Sequence, residues 1–197
     1  MRKSEHKIIN EKLHCLLSKL NGVEFRSPEE LADFLKAENV CFSADDLISF
    51  GYILATRLGR SAGHIYVPDW LVGVFSTLIE GVSPKTICDP WAGAGMLVGS
   101  LREASKAEEV LAFTPNHGEY ALGKVLVPDA NWQVGNPLHM LNDISDKLDV
   151  ITSVLPMGVH STTPLKLTLP SGNTVELADD LGNLVMVAAS MRLSSSG

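Results

Sequence analysis

The stretch Ile87-Cys88-Asp89-Pro90-Trp91-Ala92-Gly93-Ala94-Gly95, continued by Met96-Leu97-Val98, decides the fold. An apolar run ends in an acid and a proline. Two glycines one residue apart follow, and then an apolar run of helical character. That order predicts a strand, a tight turn and a helix N-terminus. Glycine tolerates backbone conformations closed to other residues and leaves no Cβ in the way of a ligand. The amides of the turn and of the first helical turn offer donors to a carboxylate or phosphate. A dinucleotide fingerprint is excluded, because Val98 stands where the last glycine of Gly-x-Gly-x-x-Gly belongs. A phosphate loop is excluded too, since no Gly-Lys-Ser/Thr follows.

Downstream the same alternation repeats. Val110–Phe113 reads as a second strand, 117–126 as a helix, Asn131–Val134 as a third strand and Asp149–Val154 as a fourth. Strands alternating with helices predict a mostly parallel α/β sheet with helices on both faces. Leu165–Leu169 and Thr174–Leu177 flank Pro170-Ser171-Gly172-Asn173, the pattern of a hairpin. A last helix covers about 178–192. Upstream, residues 4–21 space Ile8, Ile9, Leu13, Leu16, Leu17 and Leu20 as one helical face. Ser27-Pro28-Glu29-Glu30 and Ser43-Ala44-Asp45-Asp46 are helix starts, with serine placed to accept from the first-turn amides. Gly59–Gly63 is a loop, and Pro68-Asp69-Trp70 opens a helix to about Glu80. The expected organisation is a helical domain over 1–60 and an α/β domain over 61–197.

Hydrophobic residues make up 45% and charged residues 20% of the 197 positions, the balance of a globular chain. No apolar stretch reaches the length of a membrane span, and the basic N-terminus runs into Glu5 and His6. The chain therefore reads as cytoplasmic, with no membrane partner. Cys15, Cys41 and Cys88 have no metal-ligand spacing and sit among apolar residues, which predicts reduced, buried thiols. His64, His117, His139 and His160 are scattered, so no metal site is expected. Net charge is −7, divided as −1 over residues 1–87 and −6 over 88–197. The acidic C-terminal part lacks the cations that duplex DNA binding requires.

The order Asp-Pro-x-x-Gly-x-Gly at 89–95 resembles the cofactor loop of S-adenosylmethionine-dependent methyltransferases, in particular the N-6 adenine DNA methylases. Tyr66-Val67-Pro68 resembles the Phe-Thr-Pro-like turn that precedes that loop and lines the cofactor pocket. By placement, the N-terminal helices are similar to the helical domain of type I restriction-modification methylation subunits. The resemblance implies a Rossmann-like sheet and S-adenosylmethionine as cofactor. Asp89, Pro90, Trp91, Ala92, Gly93 and Gly95 would hold its methionine end, and Tyr66, Val67 and Pro68 would line the pocket.

Other positions depart from the family. At the end of the second strand, Thr114 stands where the family carries an acid for the ribose hydroxyls; a hydroxyl is a poorer clamp than a carboxylate, and Glu119 lies several residues beyond. Asn136-Pro137 stands where the family has Asp near the adenine; Gly135-Asn136-Pro137 reads equally as a turn. Val154-Leu155-Pro156-Met157 stands where adenine-amino methylases have Asn-Pro-Pro-aromatic. Valine has neither donor nor acceptor to orient an amine, and Met157 is no planar platform for an extruded base. The implied reaction, methyl transfer to an exocyclic base amine, is thus expected to be weakened or absent. The alternative is a non-catalytic interaction or structural subunit with a degenerate methyltransferase fold.

The family's sheet has seven strands; about four and a hairpin are legible here. That leaves a partial sheet with an unpaired edge, either because the chain is a fragment or because the hairpin, a partner or a second copy covers it. DNA would then be contacted through a partner subunit or a missing segment.

Overall fold

A computed structural model describes residues 14–59, 66–144, 147–156, 158–159, 164–168 and 171–193. Outside them lie the first part of the N-terminal helix, Arg60–Gly63 of the loop, His64, Met157, His160, Leu169 and Pro170 of the hairpin, and the Ser194–Gly197 tail.

Residues 14–20 are helical (α1). The two serine-led starts form as read. Helix α2 (Pro28–Glu38) is capped by Ser27, and α3 (Ala44–Leu58) by a capping box in which Ser43 and Asp46 each take the other's backbone amide. After α4 (Asp69–Ile79) come β1 (Thr86–Asp89), α5 (Met96–Ser105), β2 (Glu109–Thr114), α6 (His117–Leu126), β3 (Asn131–Val134), α7 (Pro137–Asp143), β4 (Val150–Ile151), β5 (Leu165–Thr168), β6 (Thr174–Leu177) and α8 (Leu181–Ser190).

Four strands form one parallel sheet in the order β3-β2-β1-β4. The chain reverses direction of travel across the sheet between β1 and β4, the place where open α/β sheets take ligands. Central strands covered on both faces read as continuous apolar runs, and β2 is buried from Val110 through Thr114. Successive side chains divide between two cores. Ile87, Val110, Ala112 and Trp132 pack with α1, α2, α3, α5 and α6 through Leu16, Leu31, Leu35, Leu54, Val98 and Leu122. Cys88, Leu111 and Phe113 face the other way, onto Leu138 and Leu141 of α7 and Leu184, Val185 and Ala188 of α8. Helix α4 packs on α5 through Val72, Ile79, Leu97 and Leu101. Strands β5 and β6 form a separate antiparallel hairpin, with Lys166 and Glu176 paired across it at 2.9 Å.

The structure departs from the expectations in four places. The expected strand 149–154 shrinks to two residues. Thr152 N still donates to Cys88 O at 2.9 Å, but the next partner on β1 is Pro90, which has no amide hydrogen to continue the ladder. Gly135-Asn136-Pro137 is a turn that also opens α7, with Asn136 Oδ1 accepting from Leu138 N at 3.0 Å and Pro137 in the first turn. Helix α8 starts at Leu181, where Asp180 caps the amide of Gly182. Cys15 and Cys41 are exposed, and only Cys88 is buried; the first two lie at helical and loop positions facing away from the core that their apolar neighbours enter.

Among the described residues no helix is long and apolar enough to cross a membrane. Beyond β4, a single isolated parallel bridge joins Leu148 to Leu193, with Leu148 N donating to Arg192 O at 2.8 Å.

Candidate functional site

The bend after β1 is the strand-turn-helix junction that the sequence predicts. Gly93 (φ +54°) and Gly95 (φ +83°) occupy the left-handed region, where a side chain costs roughly 1–2 kcal/mol. The second glycine also serves packing. A Cβ on Gly95 would lie 2.7 Å from Trp132 Cζ2 and 3.2 Å from Val127 Cγ2. The close approach expected of a ligand at this glycine is made by the Trp132 indole instead, whose Nε1 donates to Val127 O at 3.0 Å. Several amides of the bend are already engaged. Ala92 N donates to Phe113 O at 2.8 Å, Gly95 N to Ala92 O at 2.7 Å and Trp91 N to Asp89 Oδ1 at 3.1 Å.

Asp89 is 1% exposed. Its Oδ1 also accepts from Ser153 Oγ at 2.7 Å. Burial pushes its carboxyl up to about 7, against the two hydrogen bonds, from Ser153 and the Trp91 amide, that favour the ionised form. Burial likewise raises the neighbouring Cys88 thiol, with the Asp89 charge adding to it.

Beside this bend a cleft of about 100 Å³ is lined by Tyr66, Val67, Asp89, Trp91, Ala92, Leu97 and Val154. Six of the sequence-predicted positions thus meet at one place, although they come from three separate segments. Tyr66 is steadied by an edge-on contact with Tyr52 at 5.6 Å. Val154, 38% exposed, gives the cleft an apolar wall.

The remaining predicted residues lie elsewhere. Pro68 precedes the first residue of α4. Pro90 and Leu155 border a neighbouring groove of about 210 Å³ between β4 and α8. Pro156 backs onto Gly182 of α8, its carbonyl 2.7 Å from where a Cβ on that glycine would sit. Asn136 caps α7 and edges a separate polar cavity of about 470 Å³ with His139, Asp143 and Lys166, and Pro137 is buried.

Thr114 is wholly buried, and its hydroxyl donates to Glu119 Oε2 at 2.9 Å. Glu119, several residues beyond in sequence, returns to the end of β2 because it occupies the first turn of α6. Asn116 caps that helix, accepting from Gly118 N and Glu119 N. The legible signal was Asn116 followed three residues later by Glu119, a capping-box spacing. Two further residues escape a reading of the sequence alone. Leu97 is the second residue of α5, and Ser153 stands immediately before Val154. Among the described residues no group of three or more His, Cys, Asp or Glu side chains can hold a metal ion.

No family model matches this sequence, and no curated protein matches it either. Solved structures do share the fold. A Listeria monocytogenes protein provisionally named a class I S-adenosylmethionine-dependent methyltransferase superposes with a TM-score of 0.54 at 14% identity, over 79% of this chain and 52% of its own. The type I restriction-modification system methyltransferase subunit of Streptococcus thermophilus superposes with a TM-score of 0.50 at 12% identity, over 75% of this chain and 37% of its own. The chain spans about half the length of the first and less of the second. At these identities the likeness is one of fold, a Rossmann-like parallel sheet flanked by helices that these neighbours share.

Proposed function

We propose that this chain is a methyltransferase-like module of the N-6 adenine DNA methylase kind whose catalysis is weakened or absent. The observation that carries this is the composition of the cleft wall. Val154 lines the cleft; on the resemblance it stands where the family's Asn orients a target amine, and its side chain supplies neither donor nor acceptor. The titratable side chains of the lining are Asp89 and Tyr66.

S-adenosylmethionine fits the described residues at one end only. The cleft beside residues 89–92 suits the compact methionine end; its volume is well below the ~300 Å³ at which whole-ligand pockets begin. At the ribose end, Thr114 spends its hydroxyl proton on Glu119 and presents no surface. At the adenine end, Asn136 uses its amide oxygen on α7. The chain would thus keep a weak cofactor site at the methionine end. The proposal extends to the organisation of the chain, with residues 1–60 as a helical unit and 61–197 as the methyltransferase-like domain, working in the cytoplasm and meeting DNA through a partner subunit or a further segment.

A second reading, a non-catalytic subunit of a modification complex, is favoured by the β4 edge. Beyond the bridge at Leu148 that edge is open among the described residues, and Met186 and Leu193 beside it are 56% and 42% exposed. A homo- or hetero-oligomer covering it would bury both. Equilibrium dialysis with labelled S-adenosylmethionine, followed by a transfer assay on unmethylated duplex DNA, separates the readings. Retained cofactor without label in DNA supports the first; no retention at millimolar ligand supports the second. Label transferred to adenine at the rate of an intact adenine methylase contradicts both.

A further inference from the structure

We infer that Ser153 is a positioning residue, whose hydroxyl, set on the buried Asp89 carboxyl, fixes the start of the Val154–Pro156 segment against the β1 bend. The inference rests on reading the cleft as the ligand site. Strand β4 has lost its ladder by this point. Its last backbone bond to β1 is Thr152 N to Cys88 O, and continuing the register of Ile87 with Val150 and Cys88 with Ile151 brings Ser153 opposite Pro90. A proline offers no N–H, so a parallel ladder cannot hold Ser153 there. The side chain takes over, with Ser153 Oγ donating to Asp89 Oδ1 at 2.7 Å.

That one oxygen also accepts from Trp91 N at 3.1 Å. Trp91 and Val154 both line the cleft. Two walls that follow different strands are therefore tied to a single oxygen of a carboxyl that is 1% exposed. Farther along, the chain is held from the other side, where Leu181 N donates to Val159 O at 2.7 Å. Ser153 is the near clamp of a segment whose far clamp belongs to α8. Loss of the hydroxyl leaves the buried Asp89 carboxyl one donor short, a loss that grows as the carboxyl ionises.

Amide hydrogen exchange on the ligand-free full chain tests this. Ser153→Ala is expected to speed exchange about tenfold both in residues 90–97 and in residues 152–156, while α2 and α6 stay unchanged. Ser153→Thr, which keeps the hydroxyl, is expected to restore both segments to within about twofold of the starting protein. A second readout moves with it. The Ser153 bond favours ionised Asp89, so its removal shifts the Asp89 titration to higher pH; Cys88, its neighbour in sequence on the other face of the sheet, and Tyr66, on the same cleft, are the other titratable groups near it among the described residues. Acceleration confined to 152–156, acceleration spread evenly over the sheet, or failure of threonine to restore the bend overturns the inference. Because no ligand is present in the measurement, its outcome is independent of whether S-adenosylmethionine binds.

Discussion

Asp89 was legible as the acid of the bend, but its surroundings were not. A sequence shows an acid after a strand; it does not show that Ser153, 64 residues later, meets it at 2.7 Å. The consequence is a pH dependence with a definite sign. The folded-state carboxyl sits near 7 and the ordinary value is 3.8. The folded protein therefore holds a proton that the unfolded chain has released. Stability from this group is complete below about pH 4, falls between about 4 and 7 by at most roughly 1.4 kcal/mol per pH unit, and is lost above. Urea unfolding at pH 5 and at pH 7.5 should show this loss in the natural protein. It should be absent from Asp89→Asn, which cannot ionise; equal losses in the two would place the proton elsewhere. Thr114 makes the complementary point. Its hydroxyl, standing where the resemblance expects an acid, could be read directly, but its burial against Glu119 depends on a helical turn bringing back a residue five positions away.

Helices announced by capping residues were the most legible elements. Ser27 and Ser43 each accept from first-turn amides, an interaction that is local in sequence and so readable from it. Helix α7 was missed although it carries the same signal, because Asn-Pro is also a turn dipeptide and seven residues give little periodicity to decide between them. The short β4 was misjudged for a different reason, since its length is set by where its neighbour β1 ends. The start of α5 depends on Gly95 for two separable reasons, backbone conformation and room for Trp132. Gly172 shares its φ of +83° but has no heavy atom within 4 Å of a built Cβ. Gly172→Ala should destabilise by about 1 kcal/mol, the conformational part alone. Gly95→Ala should cost about 3 kcal/mol, with overpacking added. Equal denaturation midpoints for the two variants would contradict the packing role of Gly95.

At the scale of the whole molecule, the order of the sheet was beyond the sequence, which shows alternation but not which strands become neighbours. The core is likewise shared in a way that composition hides. Leu31 and Leu35 of α2 belong to the same buried cluster as Leu122 of α6 and Trp132 of β3. The N-terminal helices are thus expected to unfold together with the sheet. Leu35 is fully buried, and Leu35→Ala should cost about 3 kcal/mol. It should lower the midpoint seen by tryptophan fluorescence, which comes from Trp70, Trp91 and Trp132, as much as the midpoint seen by far-ultraviolet dichroism. Separate midpoints would mean independent units.

The cleft between the β1 bend and Val154 is tested most directly by calorimetric titration with S-adenosylhomocysteine. The natural chain should bind saturably in the micromolar to millimolar range, roughly −8 to −4 kcal/mol. Val154→Trp should abolish binding, because the change fills the cleft from an exposed rim position and spares the core. An absence of heat at millimolar ligand, or undiminished binding by Val154→Trp, would contradict a cofactor site at this bend.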